Sequence, residues 1–532
     1  MAARSIVSLL LTFILIGNAR SLTFSSKLIH RLSDEAKAIR VSRNGGILAG
    51  SWPMRRSMEY YQILVRSDLE RTKLKLNPKY QSLFPSEGSE TVSFGNDFGW
   101  LHYTWVDIGT PNVSFLVALD AGSDLFWVPC DCIQCAPVSA SYYRLDRDLS
   151  VYSPSGSSTS KHLSCSHELC SLGPKCKSPK QPCPYNVDYY SENTSSSGLL
   201  VEDTLYLASS GDHASTSTAK TPVIIGCGMT QSGGYLDGIA PDGLLGLGFG
   251  DVSVPSFLAK AGLVRNSFSL CFDDDDGDSG RIFFGDQGSS AQQSTPFLEW
   301  EGKYLHYIIG VDGFCIGPAC LKQTGFQAMV DSGSSFTFLP DDVYDTVAVE
   351  FDRQMNTSRF RYEGSPWEYC YKASSLDLPK IPTVTLRFSG NNSFEVHNPI
   401  FPYYGKEGEL AGFCLALQSA GEDALGTIGQ NLMMGYRIVF DREKLKLGWS
   451  RSKCRDLDDG TRVSLTPPPH DRPENPLPTN EQQSNPGGRA VSPAVAGRTP
   501  HNPSAATPLV LSWQTPFLRL LLLFLAILIL SN

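Results

Sequence analysis

The stretch Phe115-Leu116-Val117-Ala118-Leu119-Asp120-Ala121-Gly122-Ser123 decides the reading of this chain, because its pattern returns as Ala328-Met329-Val330-Asp331-Ser332-Gly333-Ser334. Each copy is an apolar run that ends at an aspartate and passes through a small residue and a glycine to a serine. A second apolar run follows in each case, Leu125-Phe126-Trp127-Val128 before Pro129, and Phe336 with Phe338-Leu339 before Pro340. Farther along, each half adds an apolar step into glycine, Leu244-Leu245-Gly246 and Thr427-Ile428-Gly429. Short apolar runs bounded by turn residues read as buried strands. Glycine lets the backbone turn tightly and lets a second segment come close. A single Asp-x-Gly-Ser is a weak signal, since Asx turns use the same residues. Two copies with matching flanks are specific, and predict two halves built alike, each with one carboxylate at the end of a strand.

The surroundings agree with an all-β protein. From about Phe94 to Cys454, short apolar or alternating runs such as Leu101 to Ile108, Val223 to Ile225, Arg281 to Phe284 and Tyr436 to Phe440 are separated by Gly, Pro, Asn, Asp and Ser. Val254 to Ala261, after Ser253, and Asp341 to Phe351, after Pro340, read as helices. All 14 cysteines fall between Cys130 and Cys454, the pattern of one disulfide-stapled unit from an oxidising compartment. The close set Cys130, Cys132 and Cys135 has no regular Cys/His quartet around it that would suit zinc. Asp273 to Asp276 with Asp278 lacks the alternation of a calcium loop and reads as a solvated acidic turn. No metal and no cofactor is expected.

The paired strand, turn, strand and distant apolar-Gly strand resembles the two lobes of pepsin-like aspartic proteases, over about two thirds of the chain. The segments Gly243-Leu244-Leu245-Gly246-Leu247-Gly248 and Leu447-Gly448-Trp449, and the cysteines just after Trp127, are similar to the plant nepenthesin-like branch. The resemblance implies a bilobal, all-β fold with few short helices and a catalytic cleft between the lobes. It implies that Asp120 and Asp331 form a catalytic pair that activates a water, with Gly122 and Gly333 shaping the turns. It assigns the Ser123 and Ser334 hydroxyls to the outer carboxylate oxygens, and leaves Ser332 to serve from its own side. Family members cover the cleft with a hairpin carrying a tyrosine. Cys183-Pro184-Tyr185-Asn186-Val187-Asp188-Tyr189-Tyr190-Ser191 matches it, with Tyr189 as the flap tyrosine and Trp127 packed beneath. Two departures stand out. The Gly-Asp-Gly turn after the flap tyrosine is replaced by Ser191-Glu192-Asn193. Most members carry threonine where Ala121 stands, and its hydroxyl bonds across to the opposite loop. By analogy Cys370 pairs with Cys414 and Cys271 with Cys454, and the other eight cysteines of the first lobe stay unassigned. The function implied is an endopeptidase acting on protein or peptide substrates; the alternative is a catalytically weak or inactive binding or inhibitor protein on the same fold.

The ends of the chain carry targeting signals. Arg4, the apolar run Ile6 to Ile16 and the small residues Ala19 and Ser21 read as a signal peptide, residues 1–21. Residues 22–93 hold no cysteine but carry basic groups such as Arg40, Arg43, Arg55, Arg56, Arg71, Lys73 and Lys75. They read as a pro-region or loosely packed extension, able to cover an acidic cleft until activation. The lobes follow as residues 94–290 and 291–454. Residues 455–504, beginning their proline runs at Pro467-Pro468-Pro469, form a stiff, extended spacer. Residues 505–532 end in the apolar tail Phe517 to Leu530, after a polar spacer and the small triplet Ser504-Ala505-Ala506. That pattern fits glycosylphosphatidylinositol (GPI) attachment at Ser504, with the tail removed and the protein placed on the outer leaflet of the plasma membrane. Sequons at Asn112, Asn193, Asn356 and Asn391 suit a secreted glycoprotein. The net charge of -9 without a basic block argues against nucleic-acid binding, and nothing signals an obligate partner, so a monomer is expected.

Overall fold

The runs flanking the two motifs pair in the same way twice. Val113–Asp120 lies antiparallel to His102–Ile108 and parallel to Leu244–Gly246, with Asp120 opposite Gly246. Leu244 also meets Trp127 antiparallel, and the strand Trp127–Gln134 runs parallel to Ala219–Ser232. In the second half Phe326–Val330 lies antiparallel to Ile308–Val311 and parallel to Gly426–Ile428, with Val330 opposite Ile428. Thr427 meets Phe338 antiparallel, and Thr337–Leu339 runs parallel to Leu417–Ser419. The strand order of one half is thus the strand order of the other. The two distant glycines show why the motif needs them. A Cβ on Gly246 would lie 2.3 Å from the backbone of Asp124, and one on Gly429 would lie 2.1 Å from the Phe336 carbonyl oxygen.

This computed structural model describes residues 23–34 except 31, 52–65, 102–136, 151–170, 176–189, 194–207, 219–236, 240, 242–272 and 279–299. It also describes residues 304, 306–361 except 333, 367–373, 379–405, 407, 409–421, 425–452 and 462–465. They belong to one compact unit, residues 21–477; residues 1–20 and 478–532 lie outside the description. The fold is all-β with few short helices, as expected from the sequence. Val254–Lys260 and Asp341–Gln354 are helices. The second starts after Pro340 with Asp341 and Asp342 in its first turn and ends with Arg353, charges that suit the helix dipole. Among the described residues no helix is long and apolar enough to cross a membrane.

The halves share a sheet. Gln293–Pro296, Lys446–Arg451, Tyr436–Asp441, Ser267–Phe272, Ser279–Phe284, Thr23–His30 and His102–Ile108 follow one another in it. The last strands of the second lobe therefore pair with strands that precede residue 290 or follow it directly. The N-terminal extension is not loosely packed where it is described. Thr23–His30 is an interior strand, with Ser279–Phe284 on one side and His102 and Tyr103 on the other, and Leu28 and Ile29 are buried. Residues 58–65 form a helix that buries Met58, Tyr60, Tyr61, Leu64 and Val65 against Phe336, Trp367, Phe401 and Tyr403. The Tyr61 and Phe401 ring centroids are 4.1 Å apart, and the Tyr404 amide donates to the Arg56 carbonyl at 3.0 Å. The apolar helical spacing 58, 61, 65 was hidden among the basic residues. The expected spacer also contributes a strand, Arg462–Leu465, parallel to Thr23–His30. Its alternating Val463 and Leu465 precede the prolines that cannot donate to a ladder.

The close cysteines form disulfides. Cys130–Cys227, Cys132–Cys135, Cys165–Cys176 and Cys170–Cys183 staple the first half, and Cys315–Cys320 and Cys370–Cys414 the second. The pairing of Cys370 with Cys414 is the one inferred by analogy. Cys271 is disulfide-bonded; Cys454 lies outside the described residues.

Candidate active site

Asp120 ends its strand and Asp331 directly follows one, and both are buried, Asp120 at 6% exposure and Asp331 at 2%. The Gly122 amide donates to Asp120 Oδ1 at 2.9 Å, and Ser123 Oγ donates to Oδ2 at 2.7 Å. In the second turn Ser334 Oγ donates to Asp331 Oδ2 at 3.0 Å. Backbone bonds then anchor each turn to the crossing strand. The Leu247 amide donates to the Asp120 carbonyl at 2.8 Å and the Gly248 amide to the Ser123 carbonyl at 2.9 Å. The Asp331 amide donates to the Ile428 carbonyl at 3.1 Å, and the Gln430 amide to the Ser334 carbonyl at 2.7 Å. Each carboxylate is therefore oriented by a hydroxyl three residues on, and each turn is held from below by the apolar-Gly strand. Ala121 and Ser332 are buried beside them. Gly333 lies outside the described residues.

Behind the first turn lies a polar cluster that sequence reasoning missed. The partly buried Asp124 accepts from the Gly250 amide at 2.7 Å. Arg442 donates to the Phe249 carbonyl at 2.9 Å and to Ser256 Oγ at 2.8 Å. Burial pushes the Asp124 carboxyl above the ordinary carboxylate range, opposed by the Gly250 amide and by the charges of Arg442 and His306. The Arg442 guanidinium is lowered by burial. Tyr307, also buried, donates its hydroxyl to the Leu247 carbonyl at 2.6 Å. Asp124 could have been singled out, as an acidic residue set just before the apolar run that follows the first motif. Tyr307 and Arg442 gave no such signal.

The segment expected to be the flap forms a hairpin, Pro184–Tyr189 paired with Thr194–Leu207, with Tyr189 opposite Thr194 at its far end. The Tyr189 side chain and Asn193 lie outside the described residues. Trp127 is fully buried and meets the Tyr235 ring edge-on at 4.8 Å. The hairpin instead shows Tyr185 buried, its hydroxyl 2.8 Å from Ser196 Oγ. Of the sequons, Asn356 and Asn391 are exposed, and Asn112 is half-buried with its amide on Asp107 at 2.8 Å. The residues near Asp273 and the proposed attachment residue Ser504 lie outside the description.

A strand arrangement made twice, each time around a buried Asp-x-Gly-Ser turn, is the architecture of the pepsin-like aspartic proteases, and the chain belongs to that family. Family profiles described as the xylanase inhibitor N-terminal and C-terminal domains match residues 102–286 and 312–451. The chain is 55% identical to aspartic proteinase-like protein 1 of Arabidopsis thaliana, over 90% of this chain and 89% of that one. It is 42% identical to aspartyl protease family protein 1 of the same plant, over 81% of each, and 25% identical to aspartic proteinase nepenthesin-2 of Nepenthes gracilis, over 75% of this chain and 87% of that one. The crystal structure of soybean basic 7S globulin superposes with a TM-score of 0.51 at 18% identity, covering 67% of this chain and 93% of that one. At that identity the likeness concerns the fold alone.

Proposed function

We propose that the protein is an aspartic endopeptidase that hydrolyses protein or peptide substrates with Asp120 and Asp331, secreted and held at the outer cell surface. One observation carries the reading: both Asp-x-Gly-Ser turns stand at equivalent places of a strand unit built twice, each aspartate buried and accepting the hydroxyl three residues on. The mechanism needs one ionised and one protonated carboxyl in the pair. The ionised member takes a proton from a water, whose oxygen attacks the scissile carbonyl carbon. The protonated member hydrogen-bonds the carbonyl oxygen, and the leaving nitrogen is protonated as the C–N bond breaks. Ser123 and Ser334 keep the outer oxygens occupied, which leaves the inner ones for water and substrate. Tyr189, with Trp127 below, closes over the substrate. The signal peptide, the basic pro-region, glycans at Asn112, Asn193, Asn356 and Asn391, and a GPI anchor at Ser504 complete the reading as a cell-surface zymogen.

A second reading has its own support. The matching family profiles are described by xylanase inhibition, and Ala121 removes a hydroxyl from the first motif. A binding protein on this fold would keep the disulfides and the sheet but cleave nothing. Asp120→Asn and Asp331→Asn decide between the two. The peptidase reading predicts that either substitution removes at least about 1,000-fold of the wild-type rate on an unfolded protein in acid, since each aspartate has a separate proton-transfer role. Retained cleavage in either variant would refute it.

A further inference from the structure

Ala121 has no hydroxyl, so its side chain cannot bond across from the first turn to the second. The connection is made elsewhere. The Asp120 carbonyl accepts from the Leu247 amide at 2.8 Å, and the Leu247 carbonyl accepts the Tyr307 hydroxyl at 2.6 Å. The Tyr307 carbonyl in turn accepts the Val330 amide at 2.9 Å, and Val330 is the residue before Asp331. A single buried side chain thus stands between the peptide that carries one aspartate and the peptide that precedes the other. Its ring is clamped on several sides: Phe249 at 4.4 Å, Phe440 at 4.8 Å, Phe297 at 5.3 Å and Phe268 at 5.9 Å between centroids. Arg442 holds the Phe249 carbonyl just beyond Leu247, so this segment cannot drift from the ring.

We infer that Tyr307 is a positioning residue that ties the two catalytic turns together, in place of the hydroxyl lost at Ala121. The inference deepens the peptidase reading, but its structural part is testable without turnover. A tyrosine packed in aromatic surroundings could serve the core alone. A core role predicts a loss of stability with no effect on how the two carboxylates interact. A tie predicts that positions 307 and 121 are coupled, because a threonine hydroxyl at 121 offers a second link between the turns once Tyr307→Phe has removed the first.

The test is a double-mutant cycle on the full secreted chain with Tyr307→Phe, Ala121→Thr and their combination. Tyr371→Phe serves as the control. It deletes a hydroxyl that donates to Asp352 at 2.8 Å in the second lobe, without touching either turn. Tyr307→Phe is expected to lower kcat about fivefold, the equivalent of one hydrogen bond, with KM unchanged. It should also narrow the bell-shaped pH profile from both sides, because carboxylates held less closely share their proton less tightly. Ala121→Thr should raise kcat by a larger factor in the Tyr307→Phe background than in the parent. Tyr371→Phe should lower the melting temperature and leave the pH profile as it was. Thermal unfolding of the four cycle members supplies the arm independent of activity. Ala121→Thr should recover most of the melting temperature lost in Tyr307→Phe and scarcely move the parent. Additive shifts in that cycle, or an unchanged profile width in Tyr307→Phe, overturn the tie. If Tyr307→Phe does not fold, Ala121→Thr alone decides: a several-fold rise in kcat, or a large gain in melting temperature, would mean that the parent's turns are untied. A folded parent that cleaves nothing sinks the peptidase reading, and the coupling in melting temperature then decides the role of Tyr307 by itself.

Discussion

Asp124 stands four residues after Asp120, and its carboxyl is held in the acid form to a higher pH than usual because burial disfavours its charge. An unfolded aspartate ionises near about pH 3.9. The folded state therefore keeps a proton on Asp124 where the unfolded chain has lost one. That contribution to stability is complete below the unfolded value and is lost as pH rises through the folded one. Asp124→Asn keeps an acceptor for the Gly250 amide but cannot ionise. Its melting temperature is expected to fall less than the parent's as pH is raised from about 4 toward neutral; parallel curves for the two proteins would contradict this. The sequence announces Asp120 and Asp331 because their motif is local, with the glycine and the orienting serine within three residues. It is silent about Tyr307 and Arg442 because their partners are backbone carbonyls 60 and 193 positions away, and any residue type offers a carbonyl.

At the scale of elements, strands close to the motifs were readable in place and approximately in length. Val254–Lys260 and Asp341–Gln354 fall where the spacing puts helices. Ala219–Ser232 extends well beyond the apolar core at Val223 to Ile225, because its length is set by the partner Thr194–Leu207 rather than by its own hydrophobicity. The strand Thr23–His30 was missed for a related reason. Its eight residues carry no clean alternation of apolar and polar side chains, and only its partners in the sheet make it a strand. Removing residues 23–34 would uncover backbone groups on its partner strands and expose the cavity left by Leu28 and Ile29. Those two side chains alone account for roughly 3–6 kcal/mol, against about 5–15 kcal/mol for a whole domain. A chain starting at residue 35 is expected to be insoluble or to melt far below the parent. An unchanged melting temperature would show the strand to be dispensable. Loss of the whole of residues 22–93 would take this strand away and leave its place in the sheet to be refilled.

At the scale of the molecule, the two strand units lie in separate sheets, the last strands of the second half join the sheet of the first, and a proline-rich tail follows in sequence. The disulfide framework and the duplicated motif identify the family, and the anchoring reading rests on composition at the chain's end. It predicts that cleavage by a phosphatidylinositol-specific phospholipase frees the protein from the membranes of expressing cells, and that protein remaining with the membranes would favour an ordinary tail anchor. The central claim is that Asp120 and Asp331 act together on a bound water. Its most direct test is hydrolysis of a denatured protein, from acid to neutral pH, by the mature disulfide-bonded protein and by Asp331→Asn, with and without pepstatin. The account predicts cleavage that peaks in acid, stops with pepstatin and is absent from a variant that melts like the parent. Cleavage that survives Asp331→Asn, or a correctly folded parent that cleaves nothing at any pH, would contradict it.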